Sequence, residues 1–133
     1  MKPLRLYEAV SERWGRWRCP CCGSHMSKPV KQGHSLRVRF RGDMRTQGHV
    51  YPRSVPFTRD LWYDQCFRCN NEQGEVELLD WAAMLVRHDD PRGSRVVELC
   101  RIVYGWLNET GRTPRKDCRP PWMEEGDRGE ARV

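Results

Sequence analysis

The chain has 133 residues and a mass of 15.8 kDa, with 38% hydrophobic content, a mean hydropathy of -0.87 and a formal charge of +6. That allows one small domain with a lean core, since a chain of this size buries roughly two-thirds of its unfolded surface. No run approaches the ~20 apolar residues of a membrane span, and the N-terminal stretch MKPLRLYEAV lacks the apolar segment of an export signal, so a cytoplasmic protein without a membrane partner is expected.

The charge is unevenly spread. Residues 28–68 hold nine Lys/Arg against Asp43, Asp60 and Asp64, a local charge of +6, whereas residues 1–27 carry +3 and residues 69–133 carry -3. Such a basic block favours a polyanionic partner. Arginines outnumber lysines by 20 to four, which suits bidentate phosphate contacts and stacking on bases. A GC-rich genome explains that ratio equally well, but not the clustering.

Leu4, Tyr7, Val10 and Trp14 recur at helical spacing and predict a short amphipathic helix over 4–14, ended by Gly15. Arg16-Trp17-Arg18 reads as a short strand leading into Cys19-Pro20-Cys21-Cys22-Gly23. After a polar passage, Ser35 to Arg41 alternates strictly, with Leu36, Val38 and Phe40 on one face and Arg37, Arg39 and Arg41 on the other. This is the clearest strand pattern in the chain. Residues 42–60, rich in Gly, Pro and Arg, read as a long loop with an extended piece at His49 to Tyr51. Leu61 to Cys66 reads as a returning strand that pairs antiparallel with Ser35–Arg41. Val76, Leu78, Leu79, Ala82, Ala83, Leu85 and Val86 predict a helix over 75–87. HDDPRG breaks it, and Ser94 is an apt N-cap for a second helix to about Leu107. From Asn108 onward the sequence is polar and Pro-rich, so residues 1–107 are expected to form the domain and 108–133 a flexible, disordered tail.

Chemistry concentrates in two hooks, Cys19-x-x-Cys22 and Cys66-x-x-Cys69. A lone Cys-x-x-Cys also occurs in redox proteins, but two of them can place four sulfurs around one tetrahedral ion. Seven cysteines, an odd number, without an export signal favour metal ligation over a disulfide framework. Cys19, Cys22, Cys66 and Cys69 are therefore assigned to one structural Zn2+. Iron in a rubredoxin-like site takes the same ligands, and ligand type does not separate the two. Cys21 and His25 are alternative ligands placed second to Cys22. Cys100 lies on an apolar helix face and reads as core; Cys118 falls in the tail as a free thiol. With four zinc-bound thiolates the protein's charge would be nearer +4.

These parts, from Cys19 to about Leu85, resemble the zinc-binding domain of bacterial and phage DNA primases. The resemblance is carried by Cys19-Pro20-x-Cys22, Lys28-Pro29, Ser35-Leu36-Arg37-Val38, Tyr63-Asp64-Gln65-Cys66-Phe67-Arg68-Cys69 and Gly74-Glu75-Val76-Glu77-Leu78-Leu79. Departures are Cys22 where many members have His, Asn70 in place of a Gly, Glu75 in place of Asp, and a 42–60 loop longer than the family's hairpin turn. The resemblance implies a zinc β-ribbon whose strand face meets single-stranded template. The expected fold class is thus a small α+β protein, a zinc β-ribbon followed by a helical hairpin.

On this reading Arg37, Arg39 and Arg41 track phosphates, flanked by Lys28, Lys31, Arg45 and Arg68, while Trp62, Tyr63 and Phe67 are stacking platforms. Aromatic residues in so small a domain equally well form its core. A primer-synthesising domain needs a carboxylate cluster; the chain has no Asp-x-Asp, and Asp89-Asp90 sits in a turn. The expected function is non-catalytic nucleic-acid binding, with single-stranded DNA favoured, in phage or mobile-element replication. A zinc ribbon docking on a replication or transcription protein, and a rubredoxin-like iron electron carrier, are the alternatives.

Overall fold

Two pairs of antiparallel strands and four helices make a small α+β fold in the computed structural model, which describes residues 4–28, 30–31, 38–39 and 42–112. The central ribbon pairs β3 (Arg45–His49) with β4 (Trp62–Cys66) in a register that sets Arg45 opposite Cys66 and His49 opposite Trp62. A second, two-residue pairing joins β1 (Val30–Lys31) to β2 (Val38–Arg39), with Val30 opposite Arg39. The partner of Leu61–Cys66 is therefore not Ser35–Arg41, and residues 42–60 are not simply a loop. Residues 35–37, 40 and 41 lie outside the described residues.

Helix α1 (Leu6–Trp14) precedes this ribbon. It starts two residues later than the sequence spacing predicts, because the Glu8 carboxylate accepts the Arg5 N–H (2.9 Å) and fixes the first turn there. Leu6 and Val10, one turn apart, are its buried residues, while Leu4 stays exposed. Gly15 terminates it at φ +84°, a conformation that favours glycine. Arg16–Arg18 forms no strand; Arg18 makes only one antiparallel bridge, to His25.

β4 is covered on both faces, and the pleat explains how. Trp62 and Asp64 point towards α1: Tyr7 stacks on Trp62 with centroids 4.6 Å apart, and Arg16 pairs with Asp64 at 3.1 Å. Tyr63 and Gln65 point the other way, both completely buried, and both meet Gln73 of α2 (Phe67–Gln73) at 3.0 and 3.1 Å. Helix α2 is absent from the sequence expectation, and it closes an exposed ribbon edge. Asn70 Nδ2 donates to Gln47 O and Gln73 Nε2 donates to His49 O, both at 3.1 Å, so side-chain amides complete hydrogen bonds that a further strand would otherwise make.

α3 (Leu78–Arg87) and α4 (Gly93–Thr110) form the expected helical hairpin. Gly93 lies against Val86 at one end, and Cys100 Sγ points at Leu78 O at the other, so the helices run antiparallel. α3 begins at Leu78 rather than Glu75, since Gly74 and Glu75 turn the chain after α2. α4 starts one residue before Ser94 and continues past Leu107 to Thr110, where left-handed Gly111 (φ +66°) caps it. Leu78, Ala82, Val96, Leu99, Cys100, Val103 and Leu107 form the hairpin's side of one core, joined by Leu6, Val10, Val50, Leu61 and Tyr63. No helix of the described residues is long and apolar enough to cross a membrane. Residues 113–133, with Cys118, lie outside the description.

Candidate metal centre

The two hooks meet at the end of the ribbon. The sulfurs of Cys19, Cys22, Cys66 and Cys69 all lie within 4.8 Å of one another, and Cys22 Sγ is 3.8 Å from Cys66 Sγ. Tetrahedral zinc thiolates at about 2.3 Å place their sulfurs about 3.8 Å apart. Four cysteines in this arrangement can hold one metal ion in the closed shell typical of structural sites.

Local sequence builds each hook. In the first, Gly23 N–H donates to Cys19 O (2.8 Å) and Cys19 N–H donates to Ser24 O (2.9 Å), closing a tight turn. Gly23 sits at φ +79°, a left-handed conformation that favours glycine, and the Arg95 guanidinium lies against it. In the second, Cys66 is the N-cap of α2, and its sulfur accepts the Cys69 N–H at 3.4 Å. The Cys66 N–H points in turn at Cys19 Sγ, 3.5 Å away. Such N–H donors stabilise negative sulfur.

A polar shell surrounds the sulfurs. Arg92 Nη1 lies 3.7 Å from Cys69 Sγ, and the same guanidinium bonds Glu72 and, at 2.9 Å, Asp90. Hydrogen bonds from the Arg92 side chain and N–H hold the Asp90 carboxyl down to about 2, while Asp90 raises the Arg92 pKa further. Gln65 Nε2 donates to Cys21 Sγ at 3.4 Å; Cys21 is completely buried beside the ligand set. Hydrogen bonding from Cys21, Cys22 and Cys66 pulls the Cys19 thiol down to about 3, and bonding with Cys19 lowers Cys69 to about 7. Cys22 and Cys66 are pushed up as donors to Cys19, and burial pushes Cys21 up. Negative charge is therefore favoured on Cys19 and Cys69, one from each hook. A divalent cation among the four sulfurs would take the place of the shared protons.

The other residues singled out from the sequence fall in several places. Lys28 and Arg68 are exposed near the metal end, and the Arg68 guanidinium lies against Gly42. Lys31 and Arg39 occupy β1 and β2; Arg37 and Arg41 lie outside the described residues. Arg45 is engaged internally, its guanidinium 3.9 Å from the Trp17 ring centroid and 3.7 Å from Asp64. One face of Trp62 is covered by Tyr7, and Tyr63 is core rather than a platform. Phe67 is half-buried, lining a cavity along α2. His25 is exposed and outside the sulfur cluster. Arg92 and Gln65 were not foreseen. The Asp90-Pro91-Arg92-Gly93 turn is the sequence trace of Arg92 alone, since Asp90 Oδ1 accepts the Arg92 N–H.

No family model matches the chain, and no curated protein or solved structure matches it significantly.

Proposed function

We propose that the protein is a non-catalytic, zinc-scaffolded module that binds single-stranded nucleic acid, with one Zn2+ held by Cys19, Cys22, Cys66 and Cys69. The convergence of four sulfurs from two hooks 47 residues apart in sequence carries this reading. Four thiolates complete the zinc shell and leave no position for substrate, which fits a scaffold rather than a reaction centre. In this view the β3–β4 ribbon is a zinc ribbon, and the motifs from Cys19 to Leu85 support kinship with the primase zinc domain and a role in phage or mobile-element replication, with β3 in the place that the resemblance gives to residues 35–41.

The nucleic-acid surface lies at the metal end. Lys28 and Arg68 adjoin it, and Lys31, Arg37, Arg39 and Arg41 follow close by in sequence. Backbone bonds tie these segments together: Arg68 N–H donates to Gly42 O and Ser27 N–H to Asp43 O. Cations gathered there would neutralise phosphates and release counterions. Titration of a labelled single-stranded DNA at several salt concentrations tests the proposal. Affinity should fall steeply with salt, and Lys28→Ala and Arg68→Ala should each flatten the slope by about one contact. Absent binding at low salt, or binding insensitive to salt, refutes it.

A second reading, docking on a replication or transcription protein, is favoured by a groove of about 690 Å³ between α1 and α4 lined by Leu4, Ala9, Ile102 and Trp106. Alanine at Arg37, Arg39 and Arg41 separates the two, abolishing DNA binding under the first and sparing partner capture under the second. A coloured, iron-containing protein would instead favour electron transfer.

A further inference from the structure

The segment between β3 and β4 combines features that the metal centre does not use. Phe57 is 95% exposed and holds φ +61°, a left-handed conformation that a bulky aromatic residue rarely adopts. Flanking turns keep it there: Val55 N–H donates to Pro52 O, Leu61 N–H donates to Thr58 O, and buried Thr58 Oγ1 donates to Val55 O. A strained backbone that presents an aromatic ring to solvent is a reason to look for what the ring meets.

Beside it lie two adjoining cavities of about 240 and 330 Å³, which share His49, Tyr51 and Arg53. The larger reaches Arg59, two residues from Phe57. The smaller runs along α2 to Phe67, Asn70, Asn71 and Glu75. Its chemistry is mixed in a way that suits a flat heteroaromatic ring. Phe67 and Pro52 offer apolar surface, and the exposed Asn71 amide has no hydrogen-bond partner among the described residues. Asn70 spends its Nδ2 on Thr46 Oγ1 and Gln47 O, leaving its carbonyl oxygen to accept. The His49 imidazole likewise has no hydrogen-bond partner among the described residues; burial and Arg53 lower its pKa against the opposing pull of Glu75. A neutral imidazole offers one donor and one acceptor. Arg53 and Arg59 are exposed at the mouth and have no ion-pair partner among the described residues.

We propose that the 50–61 segment and α2 form a base-reading groove for single-stranded DNA, in which one splayed base enters the pocket of His49, Phe67 and Asn71, the next stacks on Phe57, and Arg53 and Arg59 hold the linking phosphates. This rests on the nucleic-acid reading above and locates its base contacts. Unstacked bases recognised by aromatic rings and side-chain amides are how single strands are read, and duplex bases are not available for it.

The test uses the full, zinc-loaded chain and three probes of equal length: a mixed-sequence single-stranded DNA, its abasic counterpart, and the duplex. The groove predicts that the abasic strand and the duplex bind at least tenfold more weakly than the normal strand. Phe57→Ala, which removes an exposed ring, should lower affinity for the normal strand about fivefold or more, leave the abasic strand unaffected and keep the salt slope. Asn71→Ala should act in the same sense, while Arg53→Ala and Arg59→Ala should weaken all three probes and flatten the slope. Equal binding of normal and abasic strands, unchanged by Phe57→Ala, overturns the groove but leaves phosphate binding at the metal end intact. No binding of any probe overturns both.

Discussion

Arg92 couples the cysteine cluster to the rest of the protein. Its guanidinium reaches Cys69 Sγ, Asp90 and Glu72 together and lies 5.6 Å from the Trp81 ring centroid. Partners of metal ligands orient them and offset their charge, and losing one typically costs 10–100-fold in metal affinity. Arg92→Ala is therefore expected to lower zinc affinity by about that factor in a chelator competition, and Arg92→Lys to recover only part of it, because a single ammonium cannot span three acceptors. An unchanged affinity in both variants would show that Arg92 acts only in the α3–α4 turn. His49 gives a second expectation. Burial and Arg53 depress its pKa below the usual 6.5, so the imidazole's contribution to stability is present above pH 6.5 and is lost as pH falls through the folded-state value. An NMR titration of His49 should show a midpoint below 6.5; one at or above it contradicts the environment described. At this scale the cysteines were legible because a Cys-x-x-Cys spacing is set by a single turn of backbone. Arg92 and Gln65 were not, because each reaches its sulfur across 23 and 44 residues of sequence.

Among the elements, β3 shows what hydropathy patterns miss. Arg45-Thr46-Gln47-Gly48-His49 has no apolar alternation, yet it is the ribbon partner of β4. Its place is set by backbone pairing, by Thr46 Oγ1 donating to Gln65 O at 2.7 Å, and by the room that Gly48 leaves. A Cβ on Gly48 would lie 2.2 Å from Gln65 Oε1 and 2.9 Å from Gln65 Cβ. Gly48→Ala must therefore displace Gln65 from Gln73 and Cys21. We expect a loss of about 1–3 kcal/mol in urea unfolding, the usual cost of overpacking, and wild-type stability would mean that Gln65 moves freely. The strong alternation at 35–41 led to the wrong partner for Leu61–Cys66, since a pattern marks a strand but not what it pairs with. Helix α2 went unseen because its seven residues, FRCNNEQ, carry no apolar stripe; side-chain amides on the ribbon edge hold it instead. The α3–α4 hairpin was readable because its apolar positions keep helical spacing over many turns, and only the helix ends moved.

For the molecule as a whole, the metal centre sits at the Arg45–Cys66 end of the ribbon, and its buried cysteines join the same hydrophobic core as the helices. The α3–α4 hairpin and α1 supply much of the apolar burial, while the two hooks fasten the Cys19–Cys22 turn to the ribbon at Cys66. Apparent zinc binding to such thiolate sites is about 10–16 kcal/mol, comparable with the whole stability of a domain, about 5–15 kcal/mol. Zinc held by these four sulfurs would make metal and fold inseparable, and the nucleic-acid surface proposed around Lys28, Lys31, Arg39 and Arg68 would depend on both. The most direct measurement is elemental analysis of the purified protein, paired with thermal unfolding before and after chelation. One zinc per chain is expected, falling to none in Cys66→Ser, with the cooperative transition lost once the metal is stripped. A protein with no zinc, with iron in its place, or with an unchanged transition after chelation would contradict the zinc scaffold.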